Sequence, residues 1–230
     1  GPAEGLKGRE LEAAALLAKY DRYEGALKIL AAGKTRHPGD FHYYKEMAFL
    51  VNKAPERVDP ALLMGEYLQY HKFSVEAVEL VGSTLLAWRM GKPGAKVFEQ
   101  VVEGTKGSDL ALFFSGAFAV LNDDMKKATR FWDRAVKSSS ADAALLDRIA
   151  DFLSSTGKQE QAEDYLKESL EADPANIDVL LKLASLKEKR VGDGIKFAER
   201  WLKKHPPSPG GLVALSQWCE ESGFGKRALK

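Results

Sequence analysis

The sequence holds one cysteine, Cys219, among 230 residues, so no internal disulfide can hold the fold together and stability must come from packing. A lone thiol is compatible with a reducing compartment without defining one. An excess of charge of one sign is also missing: 34 Lys and Arg face 33 Asp and Glu, a formal net charge of +1. That balance leaves no bulk attraction to a polyanion, so nucleic acid is not expected as a partner. Long apolar runs are absent too. Spanning a bilayer takes about 20 apolar residues, whereas the longest nearly uncharged run, Leu110 to Leu121, has 12 and reads as a buried helix. No direct membrane insertion is expected of this stretch of chain. Gly1 and Pro2 resemble the scar of a cleaved tag, with no apolar signal core after them. Residues 1–6 are therefore expected to be a tag remnant or linker, and the rest an excised soluble region of a longer parent.

Catalytic signatures are likewise missing. The chain has no Gly-x-x-x-x-Gly-Lys-Ser/Thr, Gly-x-Gly-x-x-Gly, His-Glu-x-x-His or Gly-x-Ser-x-Gly. The short Gly/Lys stretches at Gly91–Gly94 and Gly104–Gly107 fall where turns are expected. Four histidines, His37, His42, His71 and His205, are scattered near helix ends without cysteine or carboxylate help at ligand spacing. No metal, cofactor or enzyme activity is expected. Cys219 has no evident base and reads as a packed thiol. Charge clusters such as Glu160 to Asp164, Lys126–Lys127 and Lys187 to Arg190 read as solvated helix faces.

What the sequence does have is periodicity. Residues 109–140 and 143–174 match in pattern at an offset of 34, with Gly116 over Ala150 and Ala128 over Ala162. Extending the register gives one column of small residues at Ala14, Ala48, Thr84, Gly116, Ala150, Ala184 and Ser216. A second column runs Ala26, Ala61, Gly94, Ala128, Ala162, Gly194 and Ala228. Seven Gly or Ala in seven places has a chance probability on the order of 10⁻⁵, so the repeat is real. Its physical cause is the close crossing of two antiparallel helices, which facing side chains allow only where they are small. Asp40, Asp59, Ser74, Ser108, Ser140 and Ser208 stand where a side-chain oxygen caps a new helix, with Pro60 and Pro209 in the first turn. Pro38, Pro174 and Pro206 close helices.

A small residue, twelve positions, a second small residue and a closing proline at a 34-residue period resemble the tetratricopeptide repeat (TPR) family. The residues carrying the resemblance best are Gly116, Ala128, Trp132 and Ala135, then Ala150, Gly157, Ala162 and Pro174. Repeats fall near 7–38, 41–72, 74–106, 109–140, 143–174 and 176–206, with a partial one at 209–230. The resemblance implies an all-α fold over residues 7–230, a right-handed superhelical solenoid of antiparallel helix pairs. It also implies a non-catalytic scaffold that binds a protein or peptide in a concave groove lined by the first helix of each pair.

Counting from the small-residue columns places His42, Lys45, Phe49 and Asn52 on that wall in the second repeat. The third repeat adds Val81, Leu85, Trp88 and Arg89, and the fourth Phe113, Ala117 and Val120. Asp147, Arg148, Asp151 and Ser154 follow in the fifth, with Asp178, Lys182, Ser185 and Glu188 in the sixth. The wall is thus expected to be basic, then apolar, then acidic, which suits a peptide of matching pattern. The alternative for Phe113, Val81 and Leu85 is burial between successive repeats. A chaperone-tail clamp is not expected, because the first repeat has Leu11 and Ala15 where that subfamily needs Lys and Asn. Two further readings stand beside the scaffold. One is self-association through the last helix, whose Leu212, Leu215, Trp218 and Cys219 are expected to lack cover. The other is small-ligand binding at the aromatic centre. The resemblance admits cytoplasmic adaptors and bacterial envelope or polysaccharide-export systems alike, so compartment, pathway and partner stay open.

Overall fold

The computed structural model describes residues 2–53, 59–139, 142–187, 193–207 and 209–221. Among these residues there are thirteen α-helices and no strand. They run α1 (Pro2–Lys19), α2 (Tyr23–Arg36), α3 (Phe41–Lys53), α4 (Pro60–Tyr70), α5 (Val75–Ala87), α6 (Gly91–Gly104) and α7 (Asp109–Leu121). Then come α8 (Met125–Ser138), α9 (Ala143–Ser155), α10 (Gln159–Ala172), α11 (Ile177–Lys187), α12 (Asp193–Lys204) and α13 (Pro209–Glu221). Each expected repeat is a helix pair, with α13 as the first helix of the partial one. α1 begins at Pro2, so residues 2–6 are helical. Proline suits the first helical turn, and Ala3, Glu4 and Leu6 favour helix.

The chain divides into two compact units, residues 1–135 and 136–230. In the first, α1 packs on α2, α3 on α4 and α5 on α6, while α5 also meets α7 and α4 meets α6. Second helices also meet the first helix of the next pair, as α2 meets α3, α4 meets α5 and α6 meets α7. In the second unit α9 packs on α10, α10 on α11, and α11 on both α12 and α13.

The 34-residue period is written into the backbone as well. The turn from first to second helix closes through a left-handed residue at Asp21, Arg89, Asp123 and Gly157, with φ of 57°, 54°, 60° and 78°. The next amide in each case donates to a carbonyl five residues back, at 2.9 Å: Arg22 to Leu17, Met90 to Leu85, Asp124 to Ala119 and Lys158 to Leu153. These bonds satisfy carbonyls that a helix end would otherwise leave unpaired. Phe73 and Gly107, also 34 apart, close second helices the same way, onto Leu68 and Val102 at 2.8 Å.

The small-residue columns lie where helices touch. Ala14, Ala26, Ala48, Ala61, Ala128, Ala150, Ala162 and Ala184 are all buried, Ser216 is half-buried, and Ala228 lies outside the described residues. A methyl on Gly116 would overlap the indole of Trp132, which is fully buried and donates its N–H to the Phe113 carbonyl at 3.1 Å. One on Gly194 would run into the Ala184 carbonyl, so α11 and α12 meet backbone to backbone. One position in the expected column is corrected. In the third repeat the close contact is at Gly82, where a Cβ would stand 2.5 Å from the Phe114 ring, and Thr84 is only half-buried. The caps explain the shift. Ser74 accepts from Ala77 N and Ser108 from Ala111 N, so α5 and α7 start 34 residues apart and Gly82 matches Gly116.

Asp59 caps α4, accepting from Ala61 N at 2.9 Å. Ser140 and Ser208, expected as caps, lie outside the described residues; α9 is capped by Asp142, which accepts from Ala144 N at 2.9 Å. In the first unit Tyr43 ties three helices together: its hydroxyl donates to Glu10 Oε2 at 2.8 Å, and Glu10 also pairs with Arg36. Burial, then the bond to Glu10, push the Tyr43 pKa up to about 12.

Gly116→Ala forces Trp132 off its carbonyl and is expected to cost about 2–3 kcal/mol in urea unfolding. Gly157 has nothing within 4 Å of a Cβ, so Gly157→Ala carries only the left-handed backbone strain, about 1 kcal/mol. The fold holds the Tyr43 proton more tightly than an unfolded chain with a pKa of about 10 does. Stability from this group is then full below that pH and lost as pH rises through about 12. Phenolate absorbance should show a component titrating at about 12 that disappears in Tyr43→Phe, beside Tyr23, Tyr44 and Tyr67, whose pKa values are also raised.

Candidate functional site

In the first unit, α3 and α5 present the side chains expected to meet a partner. His42 is exposed in the first turn of α3. Its amide and ring Nδ1 both lie on Asp40 Oδ1, at 3.1 and 3.0 Å, so Asp40 caps the helix and orients the imidazole. Lys45 is half-buried one turn on. Phe49 follows, 38% exposed, and its ring lies 5.8 Å from that of Trp88, tilted by 50°. Trp88 is the C-cap of α5 and half-buried; Arg89, exposed, takes the left-handed turn position. Helical spacing thus brings together two aromatics 39 residues apart, with a guanidinium on the residue that follows. The Asn52 side chain lies outside the described residues.

For three of the wall residues the structure shows the alternative, burial. Phe113 is 3% exposed, and Val81 and Leu85 are fully buried. Ala117 and Val120 are buried as well. In α7 every residue from Ala111 to Val120 is buried, because a helix without charge between Leu110 and Leu121 has no polar face to turn outward. On α5 the exposed stripe is instead Glu76, Leu80, Ser83 and Ala87, with half-buried Glu79 accepting from the Ser83 hydroxyl at 2.9 Å. Sequence reasoning misses this stripe by setting the third repeat two residues late. The available signal is Gly82, one period before Gly116.

In the second unit, Asp147 and Asp151 of α9 are brought together by Lys182 of α11. The ammonium donates to Asp147 Oδ1 and Oδ2 at 2.8 and 3.0 Å and to Asp151 Oδ2 at 2.8 Å. Burial draws the Lys182 pKa down, but the bonds and charges of the two carboxylates outweigh it and hold it above the usual lysine value. Arg148 is half-buried beside them. These acids, expected as open partner contacts, are engaged in holding α9 to α11. Glu163 and Lys187, expected as solvated, also pair across helices at 2.6 Å, and the bond from Lys187 lowers the Glu163 pKa.

No family model and no curated protein matches the sequence. Among solved structures, TTC0263, a thermophilic TPR protein of Thermus thermophilus, is similar at 14% identity and a TM-score of 0.46, over 78% of this chain and 97% of that one. The C-terminal part of a TPR repeat-containing protein from Cytophaga hutchinsonii is similar at 12% identity and a TM-score of 0.44, over 95% and 92%. YrrB, a TPR protein with an unusual peptide-binding site, is similar at 18% identity and a TM-score of 0.39, over 80% and 96%.

The last helix is more covered than expected. Cys219 is buried, and burial followed by the Glu199 charge raises its thiol pKa, the reverse of an activated nucleophile. Trp218 donates its indole N–H to Ser185 Oγ at 3.3 Å, so that face packs on α11. Leu212 and Val213 remain exposed, and the Leu215 side chain lies outside the described residues. Among the described residues no cluster of three or more His, Cys, Asp or Glu could hold a metal, and no helix is long and apolar enough to cross a membrane. Because the Lys182 side chain in this bridge is 36% exposed, Lys182→Met is expected to cost less than about 1 kcal/mol in urea unfolding.

Proposed function

We propose that this chain is a non-catalytic scaffold that binds a protein or peptide partner on the exposed face of α3 and α5. The observation that carries the reading is the Phe49–Trp88 pair, two part-exposed rings 5.8 Å apart on a face that also bears Lys45 and Arg89. Aromatics of this kind supply most of the affinity where they are found at interfaces. Lys45 and Arg89 favour acidic groups in the partner, and Glu76 and Glu79 favour basic ones at the α5 stripe. The setting, part of a larger or membrane-tethered protein in an assembly such as a bacterial envelope or polysaccharide-export system, rests on the resemblance of the repeats.

A second reading, self-association through α13, is favoured by Leu212 and Val213, 57% and 58% exposed on adjacent positions. Light scattering across concentration tests it, and a constant monomer mass removes it.

For the scaffold, peptides selected by display on the intact chain are titrated calorimetrically against wild type, Phe49→Ala, Trp88→Ala and Arg89→Glu. Each aromatic truncation is expected to weaken binding tenfold or more, about 1.4 kcal/mol. Unchanged affinity in both would move the site elsewhere.

A further inference from the structure

The first unit contains a cavity of about 170 Å³ lined by Ala95 and Glu99 of α6, Ser115 and Ala119 of α7, Asn122, Asp124, and Lys127 and Phe131 of α8. Its origin lies in the repeat register. Ser115 and Ala119 occupy the positions that hold Met47 and Val51 in α3, Val81 and Leu85 in α5, and Ile149 and Leu153 in α9, all buried. The fourth repeat alone among these four replaces both aliphatic side chains, one with a hydroxyl and one with a methyl. Truncation of that kind leaves a void that destabilises a packed array when nothing enters it. The lining here carries polar groups beside apolar ones, where a repacked core would be apolar throughout. Ser115, 7% exposed, donates to the Ala111 carbonyl at 2.8 Å, and its oxygen keeps acceptor capacity. The Asn122 amide sits where a Cβ on Gly91 would stand 2.5 Å from its oxygen.

A related space exists in the other unit and shows which groups meet on its wall. That cavity, about 390 Å³, is lined by Glu163, Lys187, Asp193, Lys196, Phe197 and Arg200. In repeat register Glu163 matches Ala95, Lys187 matches Ala119, and Asp193 and Phe197 match Lys127 and Phe131. There the ammonium of Lys187 bonds Glu163 at 2.6 Å and lies 5.3 Å over the centre of the Phe197 ring. In the first unit the aromatic ring is kept as Phe131. A carboxylate is kept at Glu99, one helical turn beyond Ala95, and the internal lysine is gone.

We propose that the cavity between α6, α7 and α8 binds an alkylammonium group from outside the chain, seated over Phe131 between Glu99 and Asp124 with Ser115 and Asn122 as acceptors. The charge balance favours a cation: two carboxylates, Glu99 and Asp124, face one ammonium, Lys127. That ammonium stands at the rim, 3.9 Å from Glu99 and 6.0 Å from the Phe131 ring centre. Asp124 Oδ1 accepts from the Lys127 amide at 2.9 Å, which fixes the carboxylate at the mouth. A cation over an aromatic face, with carboxylates beside it, gains from both the ring quadrupole and charge-assisted hydrogen bonds. A free amine and the lysine of a partner present the same group to the site, and this site is separate from the Phe49–Trp88 face.

The test is amide NMR on the intact, ¹⁵N-labelled chain titrated with n-butylammonium, with butyrate and n-butanol as controls and a capped Gly-Lys-Gly peptide as a second arm. The expected result is saturable shifts at Ser115, Ala119 and Asn122 for n-butylammonium, with a Kd of about 1 mM, and none for butyrate. Tighter binding of the peptide assigns the amine to a partner's lysine; tighter binding of the free amine assigns it to a small molecule. Ala119→Leu, which restores the residue that α5 and α9 carry, should weaken binding tenfold or more while leaving the spectrum folded. Glu99→Gln, on the exposed rim, should weaken it severalfold without touching the core. No saturable shifts, an equal response to butyrate, or undiminished binding in both variants would overturn the proposal.

Discussion

Where the Trp132 indole lies against Gly116, a single methyl group on the helix would overlap the ring. That contact lets the indole reach the Phe113 carbonyl and brings α7 and α8 to the close end of helix separation. The same arrangement recurs at Gly82 with Phe114 and at Gly94 with Phe118, and in backbone form at Gly194 with Ala184. Helix pairs of this kind have too little apolar surface to be stable singly. They hold because each small residue admits a large neighbour, often from the next helix along, so that the contacts link repeats as well as close them.

The same periodicity decides which surfaces are left for function. Turns closed by a left-handed residue at Asp21, Arg89, Asp123 and Gly157 repeat the geometry of the helix ends, and that places Arg89 at the end of α5 beside Trp88. In the fourth repeat α7 is buried along its length, so it offers no open face of its own and acts as a floor. Where that floor loses aliphatic bulk, at Ser115 and Ala119, a polar cavity opens on the side of the second helices. Two different surfaces, an aromatic one on first helices and an acidic one between second helices, therefore arise from departures from one repeated pattern.

Much of this is legible in the residues. The two small-residue columns predict which positions are buried, and capping side chains at Asp59, Ser74 and Ser108 mark helix starts, because capping and close crossing are local requirements with few solutions. Phe49 and Trp88 stand out in the sequence because polar neighbours accompany them, and the structure places their rings together. The periodicity sets the third repeat two residues late because the small-residue column also admits Thr84, and the shared cap geometry of Ser74 and Ser108 separates it from Gly82. Phe113 reads equally as a wall or a core residue, because repeat position alone does not show how many neighbours a helix has. Lys187 and Glu163 look like solvated charges because a sequence does not show that two long side chains from different helices will meet.

The order of helices, the place of most of their ends and the residues at most crossings were determined by the sequence alone, since backbone sterics, capping and side-chain volume act over a few residues; the crossing in the third repeat was not. Which charged groups are spent on one another, as with Lys182 between Asp147 and Asp151, was decided only by the tertiary structure. So was the opening of a cavity at Ser115 and Ala119. Those outcomes depend on distances between helices that are far apart in the chain, and a repeat pattern constrains such distances without specifying which side chains fill them.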